Sequence, residues 1–139
     1  MSHFLTPVLA LIIWSLVIWC VLYVRRIPAM QAAKISPDTA KHPDGDWKAR
    51  MPDSERYAAA NYNHLMEQPT IFYALMFTIF LMDKVGPLAL YCAWGYVGLR
   101  VLHSLIQITA NKVMPRFIIF SLSTILLMIM ALSALAKLF

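Results

Sequence analysis

The sequence predicts an all-α integral membrane protein, a bundle of four transmembrane helices with both termini on the non-cytoplasmic side. Three observations carry that expectation. The 139 residues are 60% hydrophobic and only 14% charged, with a mean hydropathy of +0.65, too apolar and too charge-poor for a soluble domain of this size. The apolar residues gather into four segments, the first of them a run of 21 residues, Phe4 to Val24, long enough to cross about 30 Å of hydrocarbon. The basic residues concentrate in two connections, Arg25, Arg26, Lys34, Lys41, Lys48, Arg50 and Arg56 after the first run and Lys112 and Arg116 after the third, against Lys84 and Lys137 on the other side. By the positive-inside rule those two connections are cytoplasmic. The net charge of +5 is therefore assigned to topology; with acids mixed among the bases and no aromatic-studded basic face, no nucleic-acid partner is expected.

The whole chain, 1–139, reads as one membrane domain. Helix 1 covers about 4–24 and is closed by Arg25-Arg26. Only Met1-Ser2-His3 precede it and no small-residue cleavage site follows, so it reads as a retained span, not a signal peptide. Pro7 falls in its first turn, where a missing N–H is harmless. Residues 27–53 form a Pro-rich polar cytoplasmic loop, long enough to suspect that it covers a site, with Trp47 as a headgroup-level anchor. Helix 2, about 54–82, starts at Asp53 or Ser54 as N-cap and is polar in its first half. There Arg56, Ala60, Asn63, Glu67 and Thr70 fall on one stripe and Asn61, His64 and Gln68 on a second, which implies two buried neighbours. Pro69 is expected to kink this helix and free the Leu65 carbonyl. Asp83 to Pro87 is a tight turn; helix 3 covers about 88–110, and Pro115 starts helix 4, about 116–138. Cys20 and Cys92 lie in apolar runs and read as small buried hydrophobes.

Arg100, His103 and Gln107 interrupt the third run at steps of three and four, so they share one face of a helix. An arginine at membrane depth costs about 2.5 to 3.5 kcal/mol on insertion scales, so this face marks a candidate site and turns away from lipid. Glu67 lies about 15 Å in from the cytoplasmic start of helix 2 and His103 about 14 Å in from Lys112. Depths that match, and the cost of an unpaired buried ion, predict that Glu67 pairs with Arg100 or His103, within a subunit or across an interface. Arg25, Arg26, Arg56, Lys112 and Arg116 ring the cytoplasmic mouth, with Asn63 and Gln107 as amide donors. That set suits a small anionic ligand with one amino group: guanidinium forks take carboxylates and Glu67 takes the ammonium. An arginine beside a thiol favours the reactive thiolate. The competing reading of the same spacing is that these polar groups simply hold helices together.

Arg100-Val-Leu-His103, then Gln107, then Pro115-Arg116, together with Asn63/His64 and Glu67-Gln-Pro69, resemble the MAPEG family, the membrane-associated proteins in eicosanoid and glutathione metabolism, in bacterial-type form. The likeness covers the whole chain in length and layout, and its specific motifs cover helices 2 and 3. It implies a homotrimer of four-helix subunits in a bacterial inner membrane. Glutathione, as co-substrate, binds between subunits near the cytoplasmic side, and an apolar small-molecule substrate arrives from the lipid bilayer. It implies Arg116 as the catalytic residue that activates the thiol. Glu67, Asn63, His64, Arg100, His103, Gln107, Arg25, Arg26 and Arg56 form the candidate binding set. The sequence also departs from the family. Counting back from Glu67 puts Ala60 at the family's arginine and His64 at its asparagine. The family's tyrosine one turn after the helix 3 histidine is Gln107, and the aromatic after Arg116 is Phe120, without a hydroxyl.

Two functions are carried forward: a glutathione-dependent transferase or peroxidase acting on lipophilic electrophiles or hydroperoxides, and a non-catalytic membrane subunit or ligand-binding scaffold of the same fold. A small multidrug transporter fits poorly, because its essential glutamate lies in the first helix. No metal site is expected, since Glu67 is the only acid placed inside a span. The few glycines form no nucleotide-cradling pattern.

Overall fold

The computed structural model describes residues 3–137. Five α-helices follow one another: α1 (Thr6–Ala32), α2 (Asp53–Leu65), α3 (Pro69–Leu81), α4 (Pro87–Ile108) and α5 (Val113–Ala136), with no strand among the described residues. α2 and α3 share the stretch that the sequence reads as one span, so the architecture is four helices with the second in two pieces. α1 and α5 are each long and apolar enough to cross a membrane. α5 packs along α4, α1 lies against α2 and α4, and α3 against α5. Gly95 permits the α4–α5 approach, because a Cβ there would stand 2.8 Å from Leu126 Cδ1.

The core is built from Leu11 and Ile18 of α1, Phe72, Met76 and Ile79 of α3, Ala93 and Tyr96 of α4, and Leu127 and Met130 of α5. Large apolar residues also face outward, among them Leu16 and Val24 of α1 and Phe117, Ile125 and Leu132 of α5. Apolar outside with Arg100, His103, Ser104 and Gln107 buried inside inverts the soluble pattern and matches a lipid surround. Cys92 is buried as expected; Cys20 lies exposed on the outer face of α1.

Several boundaries differ from the sequence reading, each for a physical reason. α1 does not stop at Arg25-Arg26 but continues through Pro28 to Ala32. Pro28 removes the donor for the Val24 carbonyl, which is tolerated where the helix is exposed. The two arginines end the apolar stretch without ending the helix, because their side chains bond laterally. Arg26 Nε donates to Glu55 Oε1 at 2.7 Å, and Glu55 is buried. Arg25 Nη1 donates to the Ser54 carbonyl at 2.8 Å and to the Ile108 carbonyl at 2.9 Å. The latter satisfies an orphan carbonyl at the end of α4.

Residues 33–52 are a folded cap instead of an open loop. Two short 3-10 turns, Thr39–Lys41 and Asp46–Arg50, wrap a small cluster of Ile35, Trp47 and Met51 that packs on Ala29 and Met30 of α1. Trp47 was expected at the headgroups as an anchor. It is buried in this cluster, and its Nε1 donates to the His42 carbonyl at 2.8 Å. Arg50 donates to the Ala33 carbonyl and holds the far end. The start of α2 also differs: Pro52 precedes it with no side-chain capping bond, and Asp53 and Glu55 in the first turn complement the helix dipole instead.

Between α2 and α3 the helix breaks. Pro69 cannot donate to the Leu65 carbonyl, so the chain closes a turn through Met66 N–H to the Asn63 carbonyl at 2.9 Å and Glu67 N–H to the His64 carbonyl at 3.3 Å. Pro69 then begins α3. α4 ends at Ile108, and Asn111, in the left-handed region, turns the chain into α5. α5 begins at Val113, so Pro115 sits within its first turn and removes no helical bond. The last residues expected in this helix reach Leu138, which lies outside the described residues.

The clamp on Glu55 is testable. Arg26→Ala leaves a buried carboxylate without its partner and is expected to lower stability by about 3 to 5 kcal/mol. The double variant Arg26→Ala/Glu55→Ala is expected to recover part of that loss. Thermal unfolding in detergent reads both, and equal loss in single and double variants would count against the pair.

Candidate functional site

The polar face of α4 meets α2 in a series of side-chain pairs. Asn61 Nδ2 donates to Gln107 Oε1 at 2.8 Å, with both residues buried. One turn along α2, His64 meets Arg100, with Nε2 and Nη1 3.1 Å apart. At the break, Tyr96 OH reaches Gln68 Oε1 at 3.4 Å, while Gln68 Nε2 donates to Thr124 of α5 at 3.0 Å. The stripe Asn61, His64 and Gln68 therefore finds its neighbours inside the chain.

Arg100 is 1% exposed. Its guanidinium carbon lies 4.7 Å from the Phe120 ring centroid and 5.1 Å from that of Tyr96, a sandwich in which the ring faces meet the cation. A guanidinium can only donate, so His64 Nε2 must accept from Nη1, which leaves the His64 proton on Nδ1. That nitrogen faces Glu67 Oε2 at 3.3 Å. The expected pairing of Glu67 with Arg100 or His103 is thus not a direct contact in the chain. Neutral His64 stands between carboxylate and guanidinium, because the turn after Leu65 swings Glu67 outward, where its side chain is 69% exposed. The His64 and His103 rings lie 4.8 Å apart, with Phe120 5.3 Å from the former.

The other stripe behaves differently. Arg56, Ala60, Asn63, Glu67 and Thr70 are all exposed, so no element among the described residues covers it. Beside it, a cleft of about 570 Å³ between α1, α2 and the cap is lined by Arg26, Lys48, Glu55, Arg56 and Asn63. On the other side of α2 a smaller cavity of about 250 Å³ is lined by His64, His103, Arg116, Phe117 and Phe120. Arg116 donates to Asn111 Oδ1. The candidate residues therefore divide into groups. Arg26, Arg56 and Asn63 face the wide cleft, with Glu67 on the same exposed stripe. Arg116, His64 and His103 line the small cavity. Arg25, Arg100 and Gln107 are committed to internal bonds and reach neither cavity.

Sequence reasoning missed Glu55, the acid that is buried here, because it sits at a helix start where an acid normally serves the dipole. The signal was its spacing: Arg26 and Glu55 flank the cap at the ends of the two helices the cap joins. It also missed Lys48 and the wall Phe117, which only the packing of the cap and of α5 brings in. Among the described residues no group of three or more His, Cys, Asp or Glu gathers as metal ligands would.

Asn61→Ala strands a buried amide oxygen of Gln107 and is expected to cost about 1 to 3 kcal/mol. Glu67→Gln alters an exposed pair and is expected to cost less than about 1 kcal/mol. Thermal melts of the two variants without added ligand should rank in that order; the reverse order would mean that Glu67 carries the buried charge.

The model of the MAPEG family matches residues 4–136, nearly the whole chain. No curated protein and no solved structure matches it.

Proposed function

The chain belongs to the MAPEG family, a membrane protein related to glutathione and eicosanoid metabolism, and from that premise we propose that it is a glutathione-dependent transferase or peroxidase for lipophilic electrophiles or hydroperoxides. The observation that carries this reading is the uncovered stripe Arg56, Asn63 and Glu67 beside a cation-lined cleft. A polar stripe on a helix of a membrane protein requires a partner surface. A second copy of the chain would supply one and put the site between subunits, in keeping with the homotrimer that the family resemblance implies.

The residues fit glutathione. Arg26 and Arg56 offer guanidinium forks to its carboxylates, Asn63 an amide, and Glu67 an exposed carboxylate for its ammonium. The cleft volume falls in the range of small-molecule sites. Arg100 and Gln107, which the resemblance names as ligand contacts, act from behind by fixing His64 and Asn61 on α2. Arg25 likewise positions α1 against α2 and α4.

Arg116 is assigned to the thiol, reached across the proposed subunit interface, since within one chain it lies on the other side of α2 from the wide cleft. A free thiol is only a few per cent ionised near neutral pH, and a guanidinium lining the same cavity favours the anion. The apolar flank of Phe117, Val113 and Phe120 lowers the local dielectric, which strengthens that attraction and admits an apolar substrate from the bilayer. The thiolate sulfur then forms the bond to an electrophilic carbon, and the leaving group departs with the electron pair.

One observation favours the second reading, a non-catalytic subunit or scaffold. Gln107 lines neither cavity and Phe120 has no hydroxyl, so neither position presents a hydroxyl to a thiolate there. Titration of glutathione into purified protein, followed by thiolate absorbance, separates the readings. The expected result is saturable binding with a thiolate signal that Arg116→Ala abolishes. Binding without thiolate supports the scaffold, and no binding at millimolar glutathione overturns the catalytic reading.

A further inference from the structure

A second cavity, of about 290 Å³, lies between α1, α2 and the cap, and we propose that it seats the phosphate of an anionic phospholipid, the cap serving as its roof. Its lining includes Trp19, Tyr23 and Arg26 of α1, Tyr62 of α2, and Trp47 and Lys48 of the cap. The α1 residues fall at steps of four and three and share one face. Along that face the order is aromatic, aromatic, cation. Trp19 and Tyr23 are partly exposed and their ring centroids are 4.5 Å apart, the amphipathic pair expected at the boundary between acyl chains and headgroups. Arg26 stands one turn beyond them, where the apolar stretch of α1 ends.

The charges point the same way. The wide cleft includes Asp53 and Glu55 in its lining, whereas this cavity includes no acid. Arg26 spends Nε on Glu55, and its terminal nitrogens have no hydrogen-bond partner among the described residues. Lys48 forms no ion pair among the described residues. Two cations beside an aromatic wall match a phosphodiester with its chains lying along Trp19 and Tyr23. Basic pockets of this kind between helices recognise anionic headgroups. The inference does not depend on glutathione binding.

The test uses the full chain in nanodiscs of equal phosphatidylglycerol and phosphatidylcholine, with retained lipid counted by native mass spectrometry. The wild type is expected to keep phosphatidylglycerol preferentially. Lys48→Ala is expected to lower that retention about fivefold, the effect of one interfacial lysine, and Lys48→Arg to restore it. Lys48 is exposed and outside every buried contact, so these variants keep the fold. Equal retention of the two lipids, or no change in Lys48→Ala, overturns the proposal. Displacement of the lipid by millimolar inorganic phosphate also overturns it, by assigning the cavity to the free ion.

Discussion

The structure depends on the burial of one guanidinium. Arg100 sits in the core of a helical membrane protein without a carboxylate in direct contact, held between two aromatic faces and one neutral imidazole. A charge so placed is stable only if its neighbours are immobile, since each lost contact exposes it to a medium that cannot solvate it. The ladder between α2 and α4 supplies that rigidity. Its rungs, Asn61 with Gln107 and His64 with Arg100, are followed at the break by Gln68 with Tyr96, and together they set the register of this segment against α4. In a membrane, where apolar packing does not distinguish helix from lipid, such directional bonds carry much of the specificity of association.

The break between α2 and α3 has the opposite effect on Glu67. A continuous helix would keep the polar stripes in phase across Pro69. The turn at 66–68 instead separates a polar segment, α2, from an apolar one, α3, and faces Glu67 outward while leaving its carboxylate on His64. The chain thus reaches its buried cation from a solvent-facing acid through one imidazole. The same turn leaves Arg56, Asn63 and Glu67 together on a surface that none of the described residues covers.

Arg25 and Arg26 show how topological charge becomes structural. In a hydropathy reading they are the stop after a span. In the fold they extend the helix, tie α1 to the start of α2 and the end of α4, and provide the platform on which the cap folds. The cap then encloses two cavities that share Arg26, Trp47 and Lys48. One short segment thereby lines both.

By itself the sequence determined the helical class, the membrane character, the family motifs and the polar faces, because each is written in local spacing: apolar run length, steps of three and four, and prolines at helix starts. Asn61, His64 and Gln68 were legible as one stripe and Arg100, His103 and Gln107 as another for that reason. Tertiary structure alone decided which stripe meets which. It placed Glu67 outside and Glu55 inside, turned Trp47 from a headgroup anchor into a small core, and withdrew Arg25, Arg100 and Gln107 from the cavities into internal bonds. Periodicity fixes the direction of a side chain around its own helix but carries no record of what lies opposite, and that depends on a break of three residues and on the path of a cap whose contacts are distant along the chain.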